Sequence, residues 1–83
     1  MPWHRRRDLE GGKELGVWLL VQDGTVEREL YVESYEYRGG AFDVYTATPA
    51  GEWTQTGEYE TVTAAFEAAT AVIESSPHML APA

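Results

Sequence analysis

The sequence predicts an α+β fold in the order β-β-β-β-α: a four-stranded antiparallel sheet with one C-terminal helix packed on one face. Three observations carry this expectation. Asp23-Gly24 stands between two apolar, β-prone runs, the strongest short-range signal for a hairpin closed by a primed two-residue turn. Val62, Ala65, Phe66, Ala69, Val72 and Ile73 recur at the i, i+3, i+4, i+7 spacing of one helical face. The chain has 83 residues, 43% of them apolar, and no cysteine. That is room for one domain whose modest core must be held by packing alone or by self-association.

Taken in order, residues 1–13 read as a flexible basic arm containing Arg5, Arg6, Arg7, Gly11-Gly12 and Lys13. A secretory signal would need an apolar run there, and an acidic, glycine-containing stretch stands in its place. The longest apolar run, from Val17 to Val21, is far short of the roughly 20 residues that cross a bilayer. The expectation is therefore a cytoplasmic protein with no membrane partner.

The single domain is placed at residues 14–75. Its first predicted strand is 14–22 and its second 25–37. A two-residue turn sets Val21 opposite Val26, Val17 opposite Leu30 and Leu15 opposite Val32. The same register makes Arg28 face Leu19, a misfit that a bulge or a snorkelling side chain would have to absorb. Arg38-Gly39-Gly40 reads as a three-residue loop, because a shorter one would set Glu36 opposite Asp43. The third strand, 41–48, ends at Pro49-Ala50-Gly51, and the fourth runs over 52–60. Thr61 is the expected N-cap of the helix and Ser76-Pro77 its stop. Residues 76–83 are expected to form a flexible tail.

Period-two counting sorts the strand residues onto two faces. Leu15, Val17, Leu19, Val21, Val26, Leu30, Val32, Phe42, Val44, Trp53 and Tyr59 form the side that the helix covers. The opposite, uncovered side carries Trp18, Leu20, Glu27, Glu29, Tyr31, Glu33, Tyr35, Tyr37, Asp43, Tyr45, Glu52, Thr54, Thr56, Glu58 and Glu60. Tyrosine is a rigid apolar ring with a polar tip, and carboxylates steer basic partners, so this mixture reads as a recognition surface. The plainer reading is a solvated polar face, since Tyr and Thr are good strand formers. Adjoining apolar side chains at Trp18, Leu20 and Tyr31 favour contact over solvation.

Charge points the same way. Of six basic residues, Arg5, Arg6, Arg7 and Lys13 lie in the arm; of fourteen acidic ones, only Asp8 and Glu10 do. The remaining twelve carboxylates therefore face only Arg28 and Arg38, a net charge near minus ten for residues 14–83. Such a surface repels phosphate and attracts Lys- and Arg-rich surfaces. Modules for single-stranded nucleic acid also show rings on an open sheet, but surround them with cations. Direct nucleic-acid binding is thus not expected of this face.

Catalytic chemistry finds little support. His4 and His78 lie in the two ends, and no phosphate loop or histidine-carboxylate metal pattern occurs. Glutamates alternating along a strand lack the loop geometry of a Ca²⁺ site. No enzymatic activity, cofactor or metal is expected. The partner-binding residues are Trp18, Glu27, Glu29, Tyr31, Glu33, Tyr35, Tyr37, Asp43, Tyr45, Glu52 and Glu58.

In size, acidity and lack of catalytic residues the whole chain resembles small phage-encoded inhibitors of bacterial defence, anti-CRISPR proteins among them. The resemblance is one of character, without a shared motif. It implies a DNA-mimicking inhibitor that occupies the basic, nucleic-acid-binding surface of a CRISPR effector or another DNA-handling complex, as a monomer or homodimer. Two alternatives stand beside it. One is a small homo-oligomeric or accessory domain whose open sheet pairs with itself. The other is a nucleic-acid binder that uses the arginine-rich arm.

Overall fold

The structure, a computed structural model, describes residues 2–6, 14–35 (Tyr35 by its backbone alone), 40–78 and 80. It is α+β, with an antiparallel sheet and one C-terminal helix, and the sheet has five strands rather than four. The strands are β1 (Trp3–Arg6), β2 (Glu14–Gln22), β3 (Thr25–Tyr35), β4 (Ala41–Ala47) and β5 (Trp53–Tyr59), followed by α1 (Val62–Ser75). They form a meander in which each strand pairs with its neighbours in sequence. Among the described residues no helix is long and apolar enough to cross a membrane.

The additional strand comes from the segment expected to be an arm. Trp3 pairs with Leu20 and Arg5 with Trp18, which puts both on the helix side of the sheet. Trp3 is 1% exposed. Its Nε1 donates to Ser76 Oγ at 3.1 Å, and Ser76 Oγ in turn donates to the Ile73 carbonyl at 2.7 Å. A parallel bridge between Trp3 and Leu80 closes the same corner. One buried indole thus joins the start of the sheet to the end of the helix.

The helix follows the sequence closely. Thr61 is its N-cap, with Oγ1 accepting from the Ala64 amide at 3.1 Å, and Ser76 is its C-cap, donating its amide to the Ile73 carbonyl at 3.2 Å. Ala65, Ala69 and Ile73 are buried against Trp3, Trp18, Leu20, Leu30, Val32 and Val44. Three small or branched residues on the inner face let α1 lie close to the sheet.

The first hairpin corrects the expected register. Its turn is as expected, with Asp23 and Gly24 both at positive φ and Val21 opposite Val26. A shift between Leu20 and Val21 then sets Leu20 opposite Arg28, so that Glu27 is the extra residue of a bulge. Trp18 consequently faces Leu30, and Val17 faces Tyr31. Because side chains alternate, this one-residue slip exchanges the faces of β2 from Leu20 back to Gly16, where a further shift between Glu14 and Gly16 leaves Leu15 packed against the core. Trp18 and Leu20 enter the core, while Val17 and Leu19 turn to the other side. Gly16 makes room for this: a Cβ there would stand 2.8 Å from Trp18 Cη2 and 3.0 Å from Phe66 Cε1. Trp18 and Phe66 meet edge to face at 5.8 Å, and the Arg5 guanidinium lies over both rings.

The second hairpin differs by two residues. Tyr35 rather than Tyr37 is the partner of Ala41, so the expected three-residue loop is replaced by a longer connection. A shift of two preserves side-chain parity, and Phe42 and Val44 keep their places on the helix side. Between β4 and β5 another bulge passes over Thr56, since Val44 pairs with Gly57 and Tyr45 with Gln55.

Candidate recognition face

On the side of the sheet away from α1, the register lines up three cross-strand rows. Glu29, Ala47 and Trp53 form one, Tyr31, Tyr45 and Gln55 the next, and Glu33, Asp43 and Glu58 the third. Val17 continues the middle row onto β2, and Arg6 continues it onto β1. Strand alternation thus delivers the expected mixture of rings and carboxylates to one face.

The rings form a continuous stack that crosses three strands. Tyr31 lies on Tyr45 with centroids 4.9 Å apart and planes 11° off parallel. Tyr45 lies on Trp53 at 4.7 Å and 17°. Burial peaks in the middle of the stack: Tyr31 is half-buried, Tyr45 is 6% exposed, and Trp53, at the sheet edge, is 67% exposed. Each such pair adds about 0.5–1.5 kcal/mol beyond its area term. The exposed indole is therefore held by its neighbours.

The carboxylates are less exposed than a solvated anionic plane would require. Glu33 is 3% and Asp43 8% exposed. Asp43 Oδ1 accepts from Gln55 Nε2 at 2.6 Å, and both acids are engaged within the fold. A charge this deeply placed must be partnered, and its removal from water makes it a structural group. Glu29, nearer the surface, accepts a 2.5 Å hydrogen bond from the Tyr31 hydroxyl. Burial first, and then that carboxylate, push the Tyr31 phenol up to about 12; Arg6 acts in the opposite direction and Glu14 in the same one.

Each expected contact residue can now be placed. Glu29, Tyr31, Glu33, Asp43, Tyr45 and Glu58 share the face, with Glu33, Asp43 and Tyr45 buried within it. Trp18 does not belong to it and is part of the core. Glu27 is exposed at the bulge, and Glu52 is exposed in the turn ahead of β5, where its amide meets Thr48 Oγ1 at 3.2 Å. Tyr35 is in register with Ala41, but its side chain, like Tyr37 as a whole, lies outside the described residues.

Trp53, Gln55, Val17 and Arg6 join the face although the expectation gave it none of them. For Trp53 a signal exists in the sequence. Gly57 interrupts a strand pattern, which marks bulges, and one extra residue between Trp53 and Tyr59 puts them on opposite faces. A feature of charge also becomes visible: after Arg38 the chain contains no Lys or Arg, so β4, β5 and α1 carry carboxylates without a basic residue of their own.

Among the described residues no group of three His, Asp or Glu side chains could hold a metal ion. No family model, curated protein or solved structure matches this chain.

Proposed function

We propose that this chain is a non-enzymatic binding protein that occupies a basic, nucleic-acid-binding surface of a partner protein, as the acidic inhibitors it resembles do. The observation that carries the reading is Trp53: a large ring, 67% exposed, immobilised by stacking on Tyr45, with Glu29 in its cross-strand row, Glu52 next to it in sequence and Glu58 farther along the same face. A pre-ordered indole loses little entropy on contact and is the residue type most often found at binding hot spots. Carboxylates on the same face, of which Glu52 and Glu58 are exposed and Glu29 half-buried, attract cationic surfaces and speed encounter. The partner is then a protein surface rich in Lys and Arg, of the kind that ordinarily receives phosphates. A CRISPR effector or another DNA-handling complex has that chemistry.

The rival reading, a nucleic-acid binder using the arginine arm, loses support from two residues. Arg5 stacks over Trp18 and Phe66, and Arg6 is engaged within the fold.

Capture from a bacterial lysate tests the proposal. Reversing Glu29, Glu52 and Glu58 to lysine should weaken capture about tenfold or more, since three ion pairs of ~0.5 kcal/mol each are lost. Reversing Glu67 and Glu74 on the helix should change it little. The captured partner should be displaced by double-stranded DNA and by salt above about 0.15 M, where the screening length is ~8 Å. Equal losses from both sets, or a partner that DNA does not displace, would refute the reading.

A further inference from the structure

The two edges of the sheet are not equivalent. At β1 the outer side is occupied where Trp3 meets Leu80. At β5 no further strand pairs among the described residues, and Trp53, Thr54, Gln55, Thr56 and Glu58 are all exposed. An edge strand presents the N–H and C=O groups of alternate residues to solvent, ready to pair with another chain, and folded proteins commonly blunt such edges with lysine, proline or a covering segment. β5 contains neither lysine nor proline, and its side chains are exposed except at Gly57 and Tyr59; its one irregularity is the bulge at Thr56, which leaves 53–55 as a regular exposed segment.

We infer that β5 is a strand-addition site, and that its occupant is an extended, Lys- and Arg-bearing segment of the partner protein. This rests on the cationic partner proposed above and specifies how that partner is held. Charge selects the occupant. Glu52, Glu58 and Glu60 flank or lie in β5 with no basic residue between them. A second copy of β5 laid antiparallel about Thr56 would set Glu52 opposite Glu60 at both ends, and like charges directly opposed destabilise a pair. A segment with lysine or arginine at those positions converts the same contacts into favourable ones. The aromatic stack adds a second determinant. It ends at Trp53, so an apolar side chain on the added strand can continue the packing of Tyr31, Tyr45 and Trp53 by one more step. Main-chain pairing supplies affinity, while alternate side chains supply selectivity.

The test uses the whole protein and three probes. The first is a ten-residue peptide alternating Lys and Thr with one central Leu; the second is the same peptide N-methylated at every second residue; the third is polylysine. The probes contain no tryptophan, and Trp3 and Trp18 are buried, so an emission shift reports Trp53. Amide hydrogen exchange of residues 53–59 reports the backbone. Strand addition requires slowed exchange in β5 with the first peptide, and at least tenfold weaker binding after N-methylation, which removes ladder donors and keeps the charge. Equal affinity of the two peptides would overturn strand addition and leave the cationic partner standing. Failure of both peptides with binding of polylysine would do the same. Failure of all three would remove both proposals.

Discussion

Replacing Trp3 by alanine asks whether the N-terminal residues belong to the fold. Trp3 is 1% exposed, and its indole packs with Trp18, Leu20 and the inner face of α1. An aromatic side chain of this kind buries 150–250 Å², which at about 25 cal/mol per Å² is roughly 4–6 kcal/mol. Direct truncations of buried Phe or Trp cost about 3–5 kcal/mol, so about 4 kcal/mol is the expected loss. In a domain of this size each kcal/mol moves the melting temperature by roughly 4–8 °C, so Trp3→Ala should lower Tm by about 16–32 °C. Trp3→Phe keeps most of the ring and removes the bond to Ser76 Oγ, a loss of about 1 kcal/mol. Thermal and urea unfolding followed by circular dichroism measure both. A Trp3→Ala protein within about 1 kcal/mol of the parent would mean that the indole is not a core residue and that β1 contributes nothing to the fold.

Two further outcomes are expected. Gly16→Ala places a Cβ 2.8 Å from Trp18 Cη2 and 3.0 Å from Phe66 Cε1, and overpacking of that kind costs about 1–3 kcal/mol. Urea unfolding should show a lower midpoint with an unchanged slope, and no loss would mean that the Trp18–Phe66 pair can move aside. Tyr31 has a folded pKa near 12 against 10 for a free phenol, so between these values the unfolded chain loses a proton that the folded one keeps. Its contribution to stability is therefore complete below pH 10 and disappears as pH rises through 12. Absorbance at 295 nm should show a late phenolate transition that Tyr31→Phe removes; a parent titration with no step above about pH 11.5 would contradict the burial of Tyr31 and its contact with Glu29.

Local signals in the sequence located most of the fold. The Asp-Gly turn, the Thr61 cap and the helical spacing after it each act over a few residues and stand where the structure has them. Tyr31 and Tyr45 reach the open face because parity within β3 and β4 survives a two-residue change of loop length. Bulges were not legible in the same way. A bulge inserts one residue into the hydrogen-bond ladder without altering composition, yet it reverses every side chain beyond it. The one at Glu27 moved Trp18 from the candidate surface to the core, and the one at Thr56 moved Trp53 from the candidate core to the surface. The misfit of Arg28 against Leu19 was the trace of the first. β1 was hidden for another reason: four residues that include two arginines and a histidine have no strand signal, and only pairing with Leu20 and Trp18 gives them one. Burial of Glu33 and Asp43 likewise depends on neighbours from other strands.

The closure of Trp3 upon Leu80 has a practical side. Four interstrand steps of about 4.8 Å separate β1 from β5, so a handle attached near residue 3 or residue 80 sits roughly 19 Å from the open edge. Anchoring the molecule to a sensor surface near residue 3 or residue 80 therefore presents the tryptophan-bearing rim outward.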